Sequence, residues 1–278
     1  MSERSRPWRD RTLDALAAVA VLTLLGAAGW LIADLLLAAW PRLSWGLFSE
    51  LPRRAGRAGG ISSILVATGL TLVVCWALVL PVALGAAIAL SSSRRAWTRW
   101  VHSSLDLLSG LPSIVLGMFG MLFFGDLLGL GFSIACGGLT LACMILPLVI
   151  RVADTALRAV PSALIAQAAA LGLSRTTTLT RLILPQAMPG LLAACGLGTG
   201  RALAETAALV FTSGGSDRMP SGLENPGRTI AVHIYELAMN VAGGDPSAAA
   251  SALILILCLI GIQVASSALL QAHRKVVQ

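Results

Sequence analysis

Six apolar runs, near residues 13 to 39, 61 to 90, 107 to 130, 132 to 152, 189 to 211 and 249 to 271, dominate the chain. Each is long enough to cross a bilayer, whose hydrocarbon core takes roughly 20 mostly apolar residues of helix. The expected fold is therefore all-α: a polytopic integral membrane protein with about six transmembrane helices. Composition agrees, with 56% hydrophobic and only 12% charged residues in 278 and a mean hydropathy of +0.84, outside the globular range. The first run is longer than a signal-peptide core and lacks a small-residue cleavage site, so it is expected to stay as an anchor, with the mature chain beginning near Met1.

An even number of spans puts both termini on one side. Arg42, Arg53, Arg54, Arg57, Arg218 and Arg228 then fall on the far face and Arg201 within the membrane, leaving the other thirteen of 20 basic residues on the terminal face. The positive-inside bias predicts cytoplasmic termini in a bacterial inner membrane. The net charge of +7 is spread over short loops, which points to topology and a lipid bilayer rather than to nucleic acid. Cys75, Cys136, Cys143, Cys195 and Cys258 all lie in proposed spans without ligand or pairing spacing, so free packing thiols and no metal are expected. The only lysine is Lys275, so the chain has no phosphate-cradling G-x-x-x-x-G-K-[ST] loop. His102, His233 and His273 sit apart and no catalytic triad or carboxylate pair is spaced for chemistry. The chain is expected not to be an enzyme.

Residues 151 to 190 are too polar to span and too patterned for a linker. Val160, Leu164, Ala168 and Leu171 repeat at helical spacing, Gly172 interrupts, and Leu179, Leu182 and Ile183 follow until Pro185 ends the run. Two short helices hinged at Gly172 are predicted. On its own this pattern fits a passive interfacial connector as well as a docking element.

At these residues the chain resembles the permeases of ATP-binding-cassette (ABC) importers, whose EAA loop docks a short cytoplasmic helix into the ATPase subunit. Val160-Pro161 opens the motif, Gly172 takes its glycine position, and Leu184-Pro185 closes it. Where the family carries Glu-Ala-Ala, this chain has Ala166, Gln167 and Ala168, so the glutamate's salt bridge is missing. The resemblance implies that Ala166, Gln167, Ala168, Gly172, Leu173, Ser174, Arg175, Leu184 and Pro185 couple the chain to the ATPase. SGLPSIVLGMFG (109 to 120), GRALAETAALVFTSGG (200 to 215) and GRTIAVHIYELAMN (227 to 240) are similar to segments of PstA-type permeases of the bacterial phosphate importer. That implies a type I importer architecture over about 61 to 278, preceded at 1 to 60 by the tail, first span and a basic external loop. It also implies a PstC-like second permease, two PstB-like ATP-binding subunits that hold ATP and magnesium, and a PstS-like periplasmic phosphate-binding protein. No cofactor is expected in this chain itself.

Arg201 and Glu205 stand four apart within the fifth run. On one helix they share a face, and counting about 1.5 Å per residue from Pro189 puts them about 18 and 24 Å into a core of about 30 Å. Such charges cost roughly 2.5 to 3.5 kcal/mol each to insert. They either neutralise one another or line a pathway, where an arginine fork suits phosphate oxygens and the resemblance places an Arg and a Glu at this spacing. Gly196, Gly198 and Gly200 precede them and suit close helix packing against a partner permease. Gly110, Pro112 and Ser113 in the third run allow a kink, serving either a gate or a bent packing helix. Thr229, His233, Glu236 and Asn240 form a polar stripe, predicting an amphipathic helix on the outer membrane surface, for docking or anchoring. Taken together the chain is expected to form half of a phosphate pathway. The alternatives are another oxyanion (molybdate, sulfate or phosphonate) or a signalling or scaffold subunit of a phosphate-sensing complex. A secondary transporter fits poorly, since no internal repeat is visible.

Overall fold

The computed structural model describes residues 8–93 and 97–277, so Arg4, Arg6, Arg94 and Arg95 of the positive-inside argument lie outside it, as do the side chains of Arg9, Arg11, Arg274 and Lys275 and that of His273. Long helices form where the apolar runs leave backbone groups no partner but their own segment. Helix α1 (Trp8–Ala39) leads into a short helix α2 (Gly46–Ser49) and a two-residue hairpin of β1 (Pro52–Arg53) against β2 (Ala58–Gly59). Then follow α3 (Ser62–Ser92), α4 (Trp97–Ser109), α5 (Ser113–Gly120) with a π-helical extension Met121–Leu127, and α6 (Ile134–Arg158). The second half holds α7 (Ser162–Ala170), α8 (Arg175–Thr178), a π-helical turn Leu179–Ile183, α9 (Leu184–Leu203), α10 (Ala207–Val210), α11 (Ile230–Met239) and α12 (Asp245–Val277).

Helices α3 and α6 form the centre. Val79, Leu90, Leu141, Ile145 and Val149 bury there with Ala194 and Ala202 of α9 and Leu209 of α10. Glycine lets the helices meet: a Cβ on Gly138 would lie 2.6 Å from Val74, and one on Gly198 2.9 Å from Val149. By contrast α1 turns nearly all its side chains outward and touches the bundle through Leu35 and Ala39 near the start of α12.

Three predicted spans change shape. The third is not one helix over 107 to 130: α4 and α5 meet at a bend of 96°. Pro112 has no amide proton and drives the residue before it out of the helical region, and its own ψ of 135° starts α5 afresh. The fourth continues to Arg158, six residues past the predicted 152. The fifth begins earlier and ends sooner, as one helical run from Arg175 to Leu203. Pro185 does not stop it, because the π turn at 179–183 widens the helix just where the proline ring would meet the preceding turn.

The basic stretch between α1 and α3 is folded rather than free. Arg42 donates to the Ser247 hydroxyl from Nε at 3.0 Å and Nη2 at 2.7 Å, and Ser247 donates to the Arg57 carbonyl at 3.2 Å. Helix α11 departs from the surface-helix expectation: Thr229 and His233 of its polar stripe point inward and are buried. The cause lies in the hairpin, where Gly56 (φ +91°) presses against the imidazole; a Cβ there would lie 2.6 Å from His233 Cε1.

Among the described residues His233 has no hydrogen-bond partner on either ring nitrogen. Burial pushes its pKa down from 6.5 to about 4, the Arg228 charge acts in the same direction, and Asp217 opposes. The unfolded chain thus binds a proton near pH 6.5 that the folded chain refuses until about pH 4. The stabilisation is whole above pH 6.5 and declines as pH falls through that window, by about 1.4 kcal/mol per unit. Acidification from about pH 7 to about pH 5 should cost this region about 2 kcal/mol. Hydrogen exchange of α11 amides, corrected for intrinsic rates, should show protection falling over that range in the native chain and staying level in His233→Phe. Equal protection at both pH values in the native chain would refute the assignment.

Candidate functional site

Arg201 lies in the last turn of α9, exposed on a face that no other described element covers. The helix ends at Leu203, so the expected pairing of Arg201 with Glu205 along one helix does not form. Glu205 instead follows the break and its Oε1 accepts the Ala208 amide at 3.2 Å, satisfying an open donor of the first turn of α10. Among the described residues Arg201 makes neither an ion pair nor a hydrogen bond. The two charges therefore divide: one fixes the local backbone, and the other is left open.

Arg201 continues a line on α9 through Gly190, Ala193 and Leu197, spaced to share one helix face. Leu197 is exposed like Arg201, while Gly190 and Ala193 line a groove of about 310 Å³ with Arg151, Val152, Thr155, Ala156 and Ala159 of α6 and its end. Beyond the Arg201 turn is a cavity of about 10 Å³, lined by Thr68, Thr71, Thr229, Ala202 and Leu203 among others, room for about one water. An uncovered arginine is costly against lipid. This face suits water or a second protein chain.

Two of the neighbouring glycines serve this chain rather than a partner. A Cβ on Gly196 would lie 3.0 Å from Gln263 Oε1 of α12, and Gly198 abuts Val149 and Trp76; only Gly200 of the three is roomy, with Leu259 at 3.8 Å. Gly110, Pro112 and Ser113 occupy the 96° elbow between α4 and α5.

At the other end of the continuous α8–α9 run lies the docking-type loop. Ala166 and Gln167 of α7 are exposed, Ala168 is buried, and Gly172 turns the chain with φ +69°. Leu173, Ser174 and Arg175 are exposed after it, and the Ser174 hydroxyl accepts the Thr177 amide at 3.1 Å to start α8. Leu184 and Pro185 are half-buried, with Leu184 packed against a small core that includes Ala153, Leu157 and Ala187. The first group forms an open knob and the last two form its root.

The sequence reading missed a polar cluster beside that root. Buried Asp154 accepts Arg158 Nε at 2.9 Å on both oxygens, and its Oδ2 lies 3.5 Å from His102 Nε2. Arg158 Nη2 donates to the Leu90 carbonyl at 2.7 Å, and Arg151 pairs with Asp106. Asp154 and Arg158 at i and i+4 were the available signal; His102 was too remote to join them by spacing.

Residues 79–275 match the family model described as "Binding-protein-dependent transport system inner membrane component". The chain is 30% identical over 226 residues to the probable ABC transporter permease protein YqgI of Bacillus subtilis, covering 76% of each. It is also 30% identical over 224 residues to the phosphate transport system permease protein PstA 2 of Mycobacterium tuberculosis (79% and 74% covered). With PstC of Haemophilus influenzae it shares 29% over 226 residues (72% and 70% covered). Among solved structures, a chain of a bacterial ABC transporter that imports alginate superposes with TM-score 0.61 at 16% identity, over 98% of this chain and 99% of that one. A chain of the inward-facing MetNI methionine ABC transporter gives 0.59 at 18%, over 77% and 94%. These two share the fold. Family membership brings ATPase and binding-protein partners and leaves catalysis to the former. The chain belongs to the binding-protein-dependent transport system inner membrane component family and is an ABC transporter permease subunit, a multi-pass protein of the inner membrane.

Proposed function

We propose that this permease forms half of the transmembrane pathway for inorganic phosphate. Arg201 carries the reading: a guanidinium without a partner among the described residues, exposed in the last turn of a membrane helix, offers a planar donor fork to a tetrahedral oxyanion. The similarity to the phosphate transport system permease proteins PstA 2 and PstC favours phosphate over other anions. On this reading the docking-type loop and both termini are cytoplasmic. A PstC-like chain covers the open α9 face, two PstB-like subunits bind ATP and magnesium, and a PstS-like protein delivers phosphate outside. The α7 knob takes up the ATPase motion. The uninterrupted run from Arg175 to Leu203, 29 residues or about 44 Å of helix, carries it from the knob to the Arg201 turn.

Cells lacking the chain but retaining its partner subunits test the cargo. Restoring the chain should recover uptake of labelled phosphate, and unlabelled phosphate should suppress that uptake while sulfate, molybdate and methylphosphonate do not. Suppression by one of the other three with phosphate inert would reassign the cargo.

A further inference from the structure

Helix α4 carries an unpartnered apolar face that the transport reading does not use. At about 100° per residue, Trp97, Trp100, Val101, Leu105, Leu107 and Leu108 fall in an arc of about 160°. Arg99, His102, Ser103, Asp106 and Ser109 fall opposite. Ser104, inside the apolar arc, turns its hydroxyl back to the Trp100 carbonyl at 3.0 Å. Among the described residues only one flank of the arc meets protein: Leu105 is buried in the central core and Val101 packs against that core. The other flank is open, with Trp100 78% and Leu107 75% exposed.

We infer that α4 lies in the plane of the membrane, its open Trp97–Trp100–Leu107–Leu108 flank seated in the phospholipid of the leaflet on the coupling-loop side. Three observations favour lipid over a protein partner. First, α4 leaves α5 at 96°, so a helix that crosses the bilayer is joined to one that runs along it. Second, α5 and its π extension are 8 and 7 residues long, about 22 Å of helix against a core of about 30 Å. The elbow is thereby drawn below the headgroups, at the depth of about 5–10 Å where an in-plane helix seats its apolar face. Third, two tryptophans on the open flank are the side chains that prefer the boundary between headgroup and chain, and Arg99 on the polar arc is placed for headgroup phosphates.

The opposite arc ties this lipid-seated helix to α6. Asp106 pairs with Arg151, Arg151 Nη2 donates to the His102 carbonyl at 3.4 Å, and His102 faces buried Asp154. Arg151, Asp154 and Arg158 form the last turns of α6 before α7. The leaflet thus holds the root of the coupling loop through α4, acting as a fixed floor against which α7 moves. Only the name of the leaflet, cytoplasmic, depends on the proposed transport reading.

A photoreactive benzoylphenylalanine placed singly at Trp100, Leu107, Ser103 or, as a lipid-facing control, Leu24 of α1, in the assembled transporter in lipid nanodiscs, tests this directly. Phospholipid adducts, identified by mass, are expected at 100, 107 and 24, with a lower yield at 103, which stands at the edge of the polar arc next to Leu107. Crosslinks from 100 or 107 to another protein subunit, or no lipid adduct there while position 24 gives one, would overturn the inference. Adducts form whatever the cargo, so this outcome is separate from the phosphate reading. As a functional arm, Leu107→Glu should lower ATP-coupled uptake several-fold at an unchanged yield of assembled complex, and Ser103→Glu should leave it near native. Equal uptake in the two variants would remove the role of the floor.

Discussion

Arg201→Ala is expected to abolish most uptake while leaving the protein folded and assembled. Among the described residues the guanidinium makes no hydrogen bond or ion pair, so its removal breaks no polar contact, and the helix already ends two residues later. What is lost is a charge-assisted interaction with the passing anion, worth about 1.5–3 kcal/mol, or about 10- to 100-fold in rate at limiting phosphate. Arg201→Lys keeps the charge and loses the fork, and should fall between. Glu205→Gln keeps an oxygen for the Ala208 amide and should hold the start of α10, whereas Glu205→Ala loses it at about 1 kcal/mol. The measurement is initial uptake of labelled phosphate at matched membrane levels. Native rates in Arg201→Ala would make the residue a headgroup or subunit contact and end its assignment to the pathway.

How far the sequence foretold this site differs from residue to residue. The spans declare themselves by length and apolarity, and the elbow at Pro112 and the turn at Gly172 announce themselves by residue type. The break after Leu203 does not. Ala204, Glu205 and Thr206 include neither proline nor glycine, so local preference continues the helix and pairs Arg201 with Glu205. Tertiary packing decides otherwise: α10 turns to lie against α5, through a glycine some 90 residues away by sequence. His233 follows the same logic, its stripe looking solvent-facing until Gly56 of the distant hairpin comes to rest on the ring. Pro185 errs in the opposite direction, since the π turn that accommodates it has no sequence signature. Local chemistry marks where a helix can break; contacts across the chain choose where it does.

Gly117→Val should therefore be among the most damaging substitutions, although it lies in neither the pathway nor the loop. A Cβ at Gly117 would stand 2.7 Å from Ala208 Cα, 3.1 Å from its carbonyl oxygen and 3.3 Å from its carbonyl carbon. All three are backbone atoms, so no rotamer change relieves the clash and α10 must move as a unit. Overpacking a tight contact costs about 1–3 kcal/mol, and a branched side chain adds atoms in the same direction. Gly85→Val, at a helical glycine with nothing within 4 Å of a new Cβ, controls for propensity alone. Thermal stability in detergent should drop for Gly117→Val and barely shift for Gly85→Val. The milder Gly117→Ala should fold, yet lose uptake out of proportion to stability, because displacing α10 releases the break that presents Arg201. If Gly117→Ala transports normally, α10 does not set the position of Arg201, and the α9 helix end must be fixed by its contacts with α3, α6 and α12 instead.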